Sequence, residues 1–107
     1  MRITLKNSSD PAFISQALQC LRASGWDVAV GSTSLQLMRD VGPLRQCGEL
    51  RKTPLGGWDL YQRVAPAEKP VPLPSVALLA YPRVEDFDWS NALHALDSCL
   101  QAALYSL

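Results

Sequence analysis

The sequence predicts an α+β domain in which two amphipathic helices pack on one face of a mostly antiparallel sheet of about five strands. Three observations carry this. Apolar residues recur at spacings of three and four near both ends of the chain, they alternate with polar residues through its middle, and turn-forming dipeptides separate the alternating stretches. With 107 residues the chain has the size of a single domain, 1–107, and by surface scaling it buries roughly two-thirds of its unfolded surface. A composition of 48% hydrophobic and 19% charged residues excludes the charge-rich, aliphatic-poor class of disordered chains.

Taken in order, Arg2 to Lys6 alternates with Ile3 and Leu5 on one side, the pattern of a short first strand rather than of a secretory signal. A helix over 11–24 follows. Asp10 is a good cap, Pro11 suits the first helical position, Phe13, Ile14, Ala17, Leu18 and Leu21 form one stripe, and Gly25 supplies the stop. Trp26, Val28 and Val30 alternate up to the turn Gly31-Ser32-Thr33, after which Leu35 and Leu37 alternate back, so a hairpin is expected there. A short helix over Ser34 to Asp40, capped by Thr33, fits Leu35, Met38 and Val41 as well, and the hairpin is preferred.

Gly42-Pro43 breaks the pattern. The clearest hairpin then joins Cys47 to Thr53 with Trp58 to Val64 across Pro54-Leu55-Gly56-Gly57. In its return strand Trp58, Leu60 and Val64 point to one side and Asp59, Tyr61 and Arg63 to the other, which suits a sheet with one charged, open face. Prolines 66, 70, 72 and 74 exclude a helix and make 65–74 a stiff extended connector. The continuous apolar run Ser75 to Tyr81 reads as a strand buried on both faces. A last helix over 88–106, capped by Asp88, carries the stripe Trp89, Leu93, Leu96, Leu100, Ala103, Leu104 and Leu107.

Ten basic and ten acidic residues give no net charge, so no molecular field draws the chain to nucleic acid or to an anionic membrane. Eight basic and five acidic residues up to Ala65, against two and five afterwards, leave only a mild dipole. No apolar run approaches the roughly twenty residues of a bilayer span. Three widely spaced cysteines, Cys20, Cys47 and Cys99, form neither a disulfide framework nor a zinc-ligand pair, and point to a reducing cytoplasm. The prevalence of arginine, alanine and leucine is the habit of GC-rich bacterial or phage coding.

Candidate chemistry is sparse. His94 lies mid-helix with no nucleophile motif to serve, and Gly56-Gly57 precedes a strand instead of the helix that a phosphate loop needs. No catalytic, cofactor or metal residue is assigned. The function expected is therefore non-enzymatic protein binding, as a small regulator or inhibitor. Arg39, Arg45, Arg51, Lys52, Tyr61 and Arg63 on the sheet, with Glu85 and Asp86 before the last helix, are the partner-binding candidates, because exposed charges and aromatics steer and anchor association. One of Trp26, Trp58 and Trp89 is expected to be exposed as such an anchor. The apolar end around Leu104 and Tyr105 leaves homodimerisation open. The alternative is a winged-helix-like DNA-binding protein built on residues 34–64, with helices at Ser34–Asp40 and Leu44–Lys52 and a hairpin wing; Gly48 inside its recognition helix counts against it.

Overall fold

In the computed structural model, which describes residues 2–5, 7–8 and 11–107, with side chains from Ala12 onward, the alternating middle of the chain forms one antiparallel sheet. The order of elements is β1 (Arg2–Leu5), β2 (Asn7–Ser8), α1 (Pro11–Ala23), β3 (Asp27–Val30), β4 (Ser34–Val41), β5 (Leu44–Lys52), β6 (Trp58–Pro66), β7 (Leu79–Tyr81), a 3-10 turn at Val84–Asp86, and α2 (Trp89–Tyr105). Strands β3 to β7 lie side by side in chain order, so every strand pairs with its sequence neighbour. The fold is α+β, with five antiparallel strands and two helices.

Helix α1 ends as Gly25 requires. Gly25 takes φ 86°, its N–H reaches the Arg22 carbonyl at 3.1 Å, and the N–H of Trp26 reaches the Leu21 carbonyl at 3.0 Å. This pair of bonds satisfies carbonyls that the helix end would orphan, and it turns Trp26 back against Leu21, both in the core. At the other helix, Asp88 accepts from the N–H groups of Ser90 and Asn91, as a cap should. The proposed cap Asp10 and the end of the first strand at Lys6 lie outside the described residues.

Opposite residues of an antiparallel ladder share a face, and the register places Leu35, Leu37, Leu50, Trp58 and Leu60 together. Phe13, Ala17 and Leu21 of α1 and Ala92 and Leu96 of α2 close on that face to form the core with Trp26. Each fully buried leucine contributes about 2 kcal/mol of transfer free energy, which makes this stripe-on-sheet contact the main source of stability. At its edge Phe13, Trp58, Tyr81, Phe87 and Trp89 pack ring on ring, with neighbouring centroids 4.3 to 5.8 Å apart.

Several expectations are corrected. Residues 34–41 and 44–52 are strands, so the two helices of the winged-helix alternative do not form. Gly42-Pro43 is not a break but the two-residue turn of a long hairpin that pairs Val41 with Leu44, and β5 therefore starts three residues earlier than Cys47. Strand β1 pairs with β2 in a separate two-stranded ladder and is no part of the main sheet. Of the run 75–81 only Leu79–Tyr81 is strand, and Val76 is 73% exposed. Within it Ala80 is exposed while Tyr81 is buried, so the strand is covered on one face only. No tryptophan is exposed: Trp26 and Trp58 are buried and Trp89 is half-buried in the aromatic cluster. Leu107 lies beyond α2 and is exposed rather than in its stripe.

Candidate binding face of the sheet

The helices cover one face of the sheet, and the other is built by the alternate residues Asp27, Ala29, Gln36, Met38, Asp40, Arg45, Cys47, Glu49, Arg51, Asp59, Tyr61 and Arg63. This face is not bare. The proline-rich chain between β6 and β7 passes over it, and Val71 and Leu73, both half-buried, form one wall of a trough of about 450 Å³. Its floor is Ala29, Gln36, Met38 and Cys47 of β3, β4 and β5, and Asp27 and Glu49 also line it. The prolines keep this segment out of any helix, and Val71 and Leu73 between them both line the trough.

Electrostatics on this face are mostly neutralised in pairs. Asp40 and Arg45 sit opposite each other and form a two-pronged bridge at 2.8 and 3.2 Å, which holds the Asp40 carboxyl below its usual value. Arg51 bonds Glu49 and lays its guanidinium 3.9 Å from the centroid of the Tyr61 ring, so Glu49 is only 12% exposed and Tyr61 is buried. Asp27, Asp59 and Arg63 form no ion pair among the described residues. Burial pushes the Cys47 thiol up, which makes it a poor nucleophile at neutral pH.

The partner-binding candidates therefore divide. Arg45, Arg51, Tyr61 and Arg63 share the helix-free face, spread along β5 and β6, while Lys52 lies on the helix-covered side of the sheet, at the end of β5 opposite Trp58. Arg39 has a different place. Its side chain is 14% exposed on the helix-covered face, 4.3 Å over the Trp26 ring, and it bonds Gln46 at 3.0 Å and Asp97 of α2 at 2.9 Å. Glu85 and Asp86 lie in the 3-10 turn, where both pair with Arg83, away from the trough lining. His94 is exposed on α2, and among the described residues no three His, Cys, Asp or Glu side chains gather to hold a metal. No helix among them is long and apolar enough to cross a membrane.

Val71, Leu73 and Met38 were not among the candidates from the sequence. Val71 and Leu73 carried a signal, two apolar residues at i and i+2 between prolines, but nothing in the sequence indicates which surface a connector crosses. Compared with protein-family models, with curated proteins and with solved structures, the chain matches none.

Proposed function

We propose that this protein is a non-enzymatic binding module that holds an extended segment of another protein in the trough on its helix-free face. The observation that carries the proposal is the trough itself: about 450 Å³, floored by Ala29, Gln36, Met38 and Cys47 and walled by Val71 and Leu73, with Asp27 and Glu49 also lining it. Apolar concavities edged by a few polar groups are where chains recognise one another's side chains. Held against its partner in this way, the module would act as a regulator or inhibitor does. A Cys47 thiol pushed up by burial supports binding over thiol catalysis. The three thiols are free, which suits a cytoplasmic setting.

The test is a selection of random twelve-residue peptides displayed on phage against the immobilised protein, followed by anisotropy titration of the enriched peptides. Met38→Glu, which places a charge on the trough floor, is expected to weaken them by about tenfold or more. Equal binding to both proteins, or no enrichment over repeated rounds, overturns the proposal.

A further inference from the structure

Strand β3 ends the sheet on the side of the trough, and its outer edge has no partner strand among the described residues. The groups that edge presents follow from the register. Gly31 donates to the Ser34 carbonyl at 2.8 Å, and this pair continues the ladder in which Ala29 faces Gln36 and Asp27 faces Met38. Hydrogen-bonded and non-bonded pairs alternate along an antiparallel ladder, so the 29/36 and 27/38 pairs exchange the bonds to β4. Val28 and Val30 lie between them, and their N–H and C=O groups point outward, away from β4. Val30 is 53% exposed, and Asp27 and Ala29 are exposed as well.

Exposed edges are usually blunted by shortness, charged side chains (lysine above all), proline or a bulge. Strand β3, Asp-Val-Ala-Val, has neither lysine nor proline, and its one charge is Asp27 at its start, which leaves Val28 to Val30 unguarded. The opposite edge differs in its proline: β7, three residues long against four in β3, stops at Pro82.

We infer that the edge of β3 receives the partner's segment as an added strand, hydrogen-bonded to Val28 and Val30, with alternate side chains in the trough and a lysine or arginine beside Asp27. This rests on the protein-binding proposal and specifies its occupant. An added strand has period two. One set of its side chains lies beside Ala29 over the trough floor, the other beside Val28 and Val30, so both sets are apolar. The basic residue follows from Asp27, an exposed carboxylate with no ion pair among the described residues, at the start of the strand. Main-chain bonds then supply affinity and the trough supplies selectivity, the division of labour of strand-addition complexes.

The test uses peptides enriched from the random library against the intact protein. Val30→Pro removes only an outward N–H and leaves the β3–β4 ladder whole, so it keeps the circular dichroism and melting temperature of the parent while blocking addition. The expected result is an enriched set of alternating, largely apolar peptides with one basic residue, weakened about tenfold or more by Val30→Pro and roughly threefold by Asp27→Lys. On the unaltered protein, the same peptides slow amide exchange at Val28 and Val30, a readout that stands even where Val30→Pro fails to fold. Peptides lost on Met38→Glu but indifferent to Val30→Pro, with no slowing at Val28 and Val30, overturn strand addition and leave the trough proposal standing. Indifference to both variants, or no enrichment, overturns the two together. An unliganded dimer in sedimentation that Val30→Pro converts to monomer assigns the edge to a second copy and overturns the inference.

Discussion

Gly25 and Gly57 look alike in the sequence, each preceding a tryptophan, yet they are glycine for different reasons. At Gly25 the backbone has φ 86° with nothing within 4 Å of where a Cβ would stand. The cost of a side chain there is purely conformational, so Gly25→Ala is expected to lower stability by about 1 kcal/mol, read as a lower midpoint in chemical denaturation with an unchanged slope. An unchanged midpoint would mean that the left-handed stop is not needed. At Gly57 a Cβ would overlap the backbone carbonyls of Tyr81 and Pro82. The first glycine is legible as a helix stop after an apolar stripe. The second is not, because the chain it must clear is more than twenty residues away.

Helix α2 is seated on the sheet by more than its leucines. Gln46 and Gln62 share the inward face of β5 and β6 with Leu44, Leu50, Trp58 and Leu60, so their side chains are buried among apolar neighbours. They are satisfied there. Gln46 donates to Gln62 at 3.0 Å and to the Leu96 carbonyl at 2.7 Å while accepting from Arg39, and Gln62 donates to the Ala95 carbonyl at 3.1 Å. With the Arg39–Asp97 bridge, this network joins β4, β5, β6 and α2 and fixes how far along the sheet the helix sits. Removing one member strands its partner, so Gln46→Leu is expected to cost about 2 kcal/mol. The pair Gln46→Leu with Gln62→Leu should cost clearly less than the sum of the two single changes, because no amide is then left unpaired beneath the helix. Strict additivity in thermal or chemical denaturation would show that the amides do not act as a unit. The strand pattern places both glutamines on the inner face, but only the docked helix provides the carbonyls that hold them.

The whole molecule is an open meander with unequal edges. Strands β4, β5 and β6 are bonded on both sides and covered by the core, whereas β3 and β7 have one neighbour each. Protection from hydrogen exchange should follow that order, slowest in β4 to β6 and fastest, within the sheet, at Val28 and Val30, whose N–H groups face outward. Site-resolved exchange on the unliganded protein checks this, and a Val30 amide as protected as that of Leu50 would mean that the edge is covered. The neutral net charge gives no long-range pull toward any partner. What the molecule offers instead is local: a trough, an open strand edge beside it, and Asp27 where they meet.

Local periodicity was enough to place both helices, their stop at Gly25 and cap at Asp88, and the β3–β4 and β5–β6 hairpins, because those features depend on residues only a few positions apart. Period two also separated the two faces of β6, with Leu60 inward and Arg63 outward. It could not show that the outward Tyr61 is buried, that Arg39 turns in to meet Trp26 and Asp97, or that the proline segment crosses the face and makes it a trough. Each of these is a meeting of segments distant along the chain. The energy that decides it lies in the packed contact, not in the propensity of either segment, and so it was set only when the sheet, the helices and the connector came together.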